Sequence, residues 1–214
     1  MPRGKARREY DSTGRTAQAQ RSRLAILDSA ESLLLADGYH ATTVDAIARA
    51  SGVSVETIYK AFRGKPGLVR AIRERRLGGR GAVHAEQRSA RARSKSKNGH
   101  ALVAQWGRLT AEVAPLVAPI LLLVRNAATV DPALQSLQDE LDADRRRRMH
   151  SNAKHLHDTG HLRAGISVAH ATDVLWTFSA PEFYELLVLR RGWAVARFGA
   201  FVGESIAAAL LRQV

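Results

Sequence analysis

The stretch "ASGVSVETIYKAF", residues 50–62, constrains the fold more than any other part of the chain. Gly52 stands between two short apolar-patterned segments, and a helix that stops at a glycine and restarts at a hydroxyl side chain has turned a corner. Upstream, "TTVDAIARA" sets Thr42 and Asp45 in the Ser/Thr-x-x-Asp/Glu arrangement that caps the orphan amides of a helix start, with Val44, Ile47 and Ala48 facing inward. Downstream, Ser54 is placed to cap a second helix of about two turns, where Ile58 and Phe62 lie four apart on the inner face. Two short helices joined this way cross steeply, and the second protrudes when a third helix packs across them. Its outward residues then include Val55, Glu56, Thr57, Tyr59 and Lys60. A helix fits the DNA major groove, where Thr and small residues touch base edges while Tyr, Lys and the helix N-terminus hold phosphates. Glu56, the one anion there, reads as a partner of the helix dipole.

The remaining chain repeats helical spacing and shows no useful strand-like alternation, so the fold class is all-α. Leu24, Leu27, Ala30 and Leu34 recur at three- and four-residue intervals until Asp37-Gly38, which gives the first helix. Residues 1–19, polar and basic without period, read as a flexible arm, and 20–80 as a helix-turn-helix domain whose fourth helix opens near "GKPGL" with Pro66 in its first turn. Residues 81–100, rich in Arg, Lys, Ser and Gly, read as a basic flexible linker. A larger helical domain fills 101–214, with helices over 101–114 and 115–128 divided at Pro115. A long helix capped by Asp131 runs to Gly160, and two more cover 167–190 and 193–211.

Charge sharpens this division. The net charge is +13, yet residues 1–100 hold 21 Lys and Arg against 9 Asp and Glu, and residues 101–214 hold 12 against 11. A polyanion partner is expected for the front half, nucleic acid before membrane, because neutralised phosphates release condensed counterions. With no cysteine, disulfides and Cys-ligated metals are excluded. The most apolar stretch, 113–124, is interrupted by Pro115 and Pro119 and reads as too short to span a bilayer, so a soluble cytoplasmic protein is expected. No phosphate loop, nucleophile elbow or metal-binding helix motif points to an enzyme, and no cofactor is expected. His157 and His161 stand one helical turn apart near His155, but no carboxylate pattern accompanies them, and no metal is assigned.

Residues 25–72 resemble the DNA-binding domain of the tetracycline-repressor (TetR) family of bacterial transcriptional regulators. The resemblance lies in Gly-Tyr before the Thr-Thr pair, Val-x-x-Ile-Ala, Gly-Val-Ser at the turn, Thr-Ile-Tyr-x-x-Phe, and Lys-x-x-Leu opening the fourth helix. It implies that Thr42 and Thr43 at the start of the second helix, with Tyr59 and Lys65, lie at the DNA backbone, and that Ser54, Val55, Thr57 and Lys60 face the groove. Ala61 stands where the family often has His, and Gly64 and Pro66 replace the usual Ser and Glu around Lys65.

The resemblance also implies a homodimer on an inverted-repeat operator in double-stranded DNA, released by a small-molecule effector. That makes the chain a ligand-responsive regulator and, most simply, a repressor; the competing reading is a sequence-tolerant DNA-coating protein. On the last helix Phe198, Val202 and Ile206 form a ridge beside Gly199 and Gly203, a pairing suited to close packing across a two-fold axis. Trp106, Leu109, Val113, Ile120, Leu123 and Trp176 are candidate walls of a largely apolar effector pocket, and Arg125 a candidate partner for an acidic effector. The run of four arginines at 145–148 follows "DELDAD" and reads as a salt-bridged, solvated face.

Overall fold

A computed structural model describes residues 12–78, 83–96 and 98–212, with side chains from residue 16 onward. The helices in chain order are α1 (Ser12–Asp37), α2 (Val44–Ser51), α3 (Val55–Phe62), α4 (Lys65–Leu77), α5 (Ala85–Lys95), α6 (Gly99–Ala128), α7 (Pro132–Asp158), α8 (Val168–Phe178), α9 (Pro181–Tyr184) and α10 (Val195–Leu210). Residues Glu185–Arg190, between α9 and α10, wind as a π-helix. Among the described residues the only β pairing is an isolated bridge between Leu162 and Leu211, so the fold is all-α.

The chain divides into compact units at residues 1–68 and 69–214, and the boundary falls inside α4. In the first unit α1 packs on α2 and α2 on α3, around Ile26, Leu27, Ala30, Leu34, Ile47, Ile58 and Phe62, all buried. Helix α1 begins at Ser12, so residues 12–19 of the expected arm are helical; residues 1–11 lie outside the described residues. Residues 16–20 are exposed all round, which leaves no apolar stripe for the sequence to advertise.

In the second unit the expected linker contains α5, because Ala85 and Ala92, two turns apart, are both buried on one face; residues 81, 82 and 97 lie outside the described residues. Helix α6 is also longer than expected. Pro115 and Pro119 lie inside it rather than ending it, each deleting a backbone bond while buried residues on both sides, from Leu102 to Ala128, hold the helix in place. By length and composition α6 could cross a membrane; in this fold it packs against α5, α7 and α10. Helix α7 starts as its sequence suggests, with the Asp131 carboxylate accepting from the Ala133 amide at 2.9 Å. The expected 167–190 helix is instead divided, since α8 stops at Phe178 and Pro181 opens α9.

The ridge on α10 has a different partner from the one expected. Phe198, Val202 and Ile206 are buried within the single chain, Phe198 at 1% exposure, and are core residues rather than a surface for a second copy. The glycine groove receives α6 of the same chain: a β-carbon on Gly107 would lie 2.4 Å from the Gly199 carbonyl oxygen, and one on Gly199 would lie 2.7 Å from that of Gly107. Small residues predict a close neighbour, and here that neighbour is intramolecular.

Candidate functional site

The α2–α3 corner is built from caps and a left-handed glycine. Thr43 is the N-cap of α2, its hydroxyl oxygen accepting from the Ala46 amide at 3.1 Å. Gly52 ends that helix at φ 68°, a conformation that costs a glycine little, and its neighbour Val53 donates to the Ala48 carbonyl at 3.1 Å. Ser54 then caps α3, accepting from the Thr57 amide at 3.2 Å and sharing a hydrogen bond with the Thr57 hydroxyl at 2.9 Å. Ile58 and Phe62 are buried, while Ser54, Glu56, Thr57, Tyr59, Lys60 and Ala61 are exposed and Val55 is half-buried. Tyr59 is 53% exposed, and its ring lies beside Gly64, where a β-carbon would stand 3.4 Å from Cε1.

Two expected DNA contacts sit differently. Thr42 is 1% exposed, and its hydroxyl donates to the Gly38 carbonyl at 2.8 Å and the Leu33 carbonyl at 3.1 Å. It locks the end of α1 to the corner before α2, so the capping threonine is Thr43, one residue later than the Thr42–Asp45 spacing suggested. The Lys65 ammonium donates to the carbonyls of Tyr39 at 2.7 Å and Thr42 at 2.9 Å and lies 4.3 Å from the centre of the Tyr39 ring. In this geometry Lys65 ties the first turn of α4 to the α1–α2 corner. Arg63, the C-cap of α3, has φ 60° and is the one non-glycine residue in the left-handed region among those described.

The second unit holds a partly open cavity of about 510 Å³, within the range of small-molecule sites. Of the candidate wall residues, Trp106, Leu109 and Val113 line this cavity, followed on α6 by Val117, Leu121 and Val124 at helical spacing. Ile120, Leu123 and Trp176 do not line it. Ile120 and Leu123 lie off that stripe of α6, Ile120 being fully buried, and the Trp176 ring is covered by the Arg145 guanidinium at 4.6 Å. Arg125 is on the wall but committed: its guanidinium meets Glu185 at 2.9 Å and Glu182 at 3.3 Å. Burial works against its charge, but the two carboxylates outweigh burial and raise its pKa.

The arginine run is not uniformly solvated either. Arg145 is buried, bonded to Asp142 at 3.0 Å and to the Ser179 hydroxyl at 3.2 Å; Arg148 meets Glu86 at 2.7 Å; both line the cavity. Burial lowers the pKa of each. Arg146 and Arg147 form the exposed part of the run, paired with Asp173 and Asp144. The helical phase of α7 separates these pairs, a distinction that four identical letters conceal.

Among the described residues no group of three or more His, Cys, Asp or Glu is arranged to hold a metal. His155 is half-buried, its Nε2 lacks a hydrogen-bond partner, and burial, then the charges of Arg93 and His161, lower its pKa despite Asp158. The unfolded chain therefore takes up this proton first as pH falls. The contribution of His155 to stability is present above its unfolded pKa of about 6.5 and is lost as pH falls toward the folded value. Denaturant midpoints measured from pH 7.5 to 5 are expected to decline, and His155→Gln to flatten part of that decline; an unchanged slope would remove His155 as its source.

This geometry has recognisable relatives. Residues 26–72 match the model of the bacterial regulatory proteins of the tetR family, spanning all of α2 and α3. The match to that family lies in the N-terminal unit and the start of the second, and covers less than a quarter of the chain. Members of that family are transcriptional regulators rather than enzymes. A stretch of 58 residues is 43% identical to YvkB of Bacillus subtilis (strain 168), an uncharacterized HTH-type transcriptional regulator; it covers 27% of this chain and 31% of that protein. Solved structures extend the likeness to the whole fold. The SmeT–triclosan complex aligns over 90% of this chain and 92% of its own with a TM-score of 0.69 at 20% identity. NalD, the secondary repressor of the MexAB-OprM multidrug efflux pump in Pseudomonas aeruginosa, aligns over 91% and 100% with a TM-score of 0.69 at 19% identity. At these identities the second unit shares the fold of such proteins, and its ligand is a separate question.

Proposed function

We propose that the chain is a homodimeric, sequence-specific DNA-binding regulator that a small, largely apolar molecule releases from an inverted-repeat operator, and that it acts as a cytoplasmic repressor. The observation that carries this reading is the outward face of α3. Its inner residues Ile58 and Phe62 are buried, its start is capped by Ser54, and Thr57, Tyr59 and Lys60 are offered to solvent on a helix short enough to lie in one major groove. Thr43 and Tyr59 are placed as backbone contacts, and Ser54, Val55, Thr57 and Lys60 as the groove face. Thr42 and Lys65 serve instead as the brace that holds this face in position.

Release by a ligand is supported by the cavity, and by α4, which supplies Arg73 and Leu77 to the cavity wall and Lys65 to the brace. A ligand that favours one arrangement of α4 changes operator affinity by its differential affinity for the two arrangements. The triclosan complex of SmeT and the repressor role of NalD support an apolar effector and repression.

Selection of bound fragments from sheared genomic DNA tests the reading. A regulator is expected to recover a common inverted repeat. Lys60→Ala should then reduce the salt slope of binding by about one, or relax one base position, with Thr57→Ala relaxing specificity. Recovery of no common site, with a steep salt dependence, would make the chain a DNA-coating protein.

With the α10 ridge buried, the dimer surface is assigned to the π-helical segment, where Leu186 and Leu189 are 51% and 56% exposed. Two exposed leucines three residues apart, on a segment next to α10, offer a small apolar surface suited to an isologous contact. Sedimentation of Leu186→Lys/Leu189→Lys is expected to give a monomer where the unmodified chain gives a dimer; an unchanged dimer would place the interface elsewhere.

A further inference from the structure

The cavity wall carries five arginines, Arg73, Arg93, Arg125, Arg145 and Arg148, and they differ in one respect. Arg73 meets Glu74 at 2.7 Å and Asp144 at 3.6 Å, Arg125 meets Glu185 and Glu182, Arg145 meets Asp142 and Arg148 meets Glu86. Arg93, on α5, meets no carboxylate among the described residues: its guanidinium donates to the Asn152 side-chain oxygen, which also accepts from the Ser89 hydroxyl at 3.4 Å. Asn152 is buried, and Ser89 and Asn152 are on the wall too. The wall also carries an apolar set, Trp106, Leu109, Val113, Val117 and Phe178, while its carboxylates Glu86, Asp142 and Glu182 are those paired with Arg148, Arg145 and Arg125.

A guanidinium on a partly desolvated wall without a counter-ion is costly, and a ligand anion that pairs with it recovers that cost. An apolar body alone would fill the hydrophobic side and leave Arg93 as it is. We infer that the effector is an amphipathic anion, an apolar chain or ring system ending in a carboxylate or similar oxyanion, whose head is bound by Arg93 beside Asn152 and whose body lies against Trp106 and the α6 stripe. The four paired arginines hold the wall together, while Arg93 keeps its charge for the ligand. Burial, the one cause acting on Arg93, lowers its pKa, and a bound anion would offset that effect. This inference rests on the regulator reading for its biological sense, but the pocket chemistry stands or falls separately.

The test is isothermal titration of the full chain with decanoate, decanol and decylamine, which share a chain and differ in head group. Decanoate is expected to bind at least about tenfold more tightly than decanol, the size of one charge-assisted hydrogen bond, and decylamine more weakly than either. Arg93→Met should bring decanoate down to the decanol affinity and leave decanol unchanged, which reports that the pocket still folds. Arg93→Lys should retain part of the preference. Equal affinities for decanoate and decanol, binding of neither, or full decanoate affinity in Arg93→Met would each overturn the inference. Loss of decanol binding in Arg93→Met would also overturn it, because Arg93 would then be a support of the pocket. Fragment selection with ligand-free protein separates the two readings: a recovered operator with no decanoate preference sinks the ligand class alone, and decanoate binding without an operator sinks the regulator reading alone.

Discussion

Replacing Gly67 by alanine is expected to abolish specific DNA binding and to destabilise the first unit by at least about 3 kcal/mol, the upper part of the range for overpacking. A β-carbon at this position would lie 1.6 Å from the Phe62 carbonyl oxygen and 2.8 Å from its carbonyl carbon. Both are backbone atoms at the end of α3, so no rotamer change relieves the clash. The first turn of α4 would have to withdraw, taking with it the Lys65 ammonium that bridges the carbonyls of Tyr39 and Thr42. The reading helix would lose its anchor at one end while its exposed face stayed chemically intact. Thermal unfolding together with binding to a selected fragment checks this, with Pro66→Ala in the same turn as a control expected to stay within about 1 kcal/mol. A Gly67→Ala protein of unchanged midpoint and affinity would show that α3 and α4 do not approach this closely.

The second large effect is expected at Gly107. Alanine there brings a β-carbon to 2.4 Å from the Gly199 carbonyl oxygen and 3.0 Å from the Gly203 amide nitrogen, at the crossing of α6 and α10. That crossing is flanked by Trp106, Val103, Phe198 and Val202, all buried, so separating the helices also opens the core around it. A loss of about 3 kcal/mol or more is expected in denaturant titration, a large share of the 5–15 kcal/mol that holds a domain folded. Alanine at the exposed neighbour Gln105 should change stability by less than about 0.5 kcal/mol. A tolerated Gly107→Ala would mean that the glycines of α10 face something other than α6.

What the sequence discloses depends on whether the deciding partner is near in the chain. Ser54, Gly52, Ile58 and Phe62 are legible because caps, turns and i,i+4 anchors are local, and α2 and α3 form where that grammar places them. Thr42 and Thr43 are adjacent and equally able to cap. Only the backbone decides that Thr43 does, with φ −101° and ψ 153°, while Thr42 turns inward to the Gly38 carbonyl. The groove of Gly199 and Gly203 correctly signals a close helix, but its neighbour is Gly107, far away in sequence, and spacing within α10 cannot distinguish that from a second copy. Ile120 and Leu123 share the composition of the cavity wall but not its phase on α6. Arg93 looks like one more cation in a basic stretch until the carboxylates have been paired off with the other wall arginines.

The π-helical segment between α9 and α10 has a consequence for how the chain tolerates change in length. Such a turn is what an α-helix becomes when it takes in one residue more than its hydrogen-bond ladder was built for. Deleting one residue within Glu185–Arg190 would let the segment relax to α-helical winding and leave Gly192 and α10 where they are. The same deletion early in α10 would rotate Phe198, Val202 and Ile206 by about 100° out of the core. The surface bearing Leu186 and Leu189 can thus be re-aimed by insertion and deletion, whereas the first turns of α10 cannot accept either without turning core residues outward.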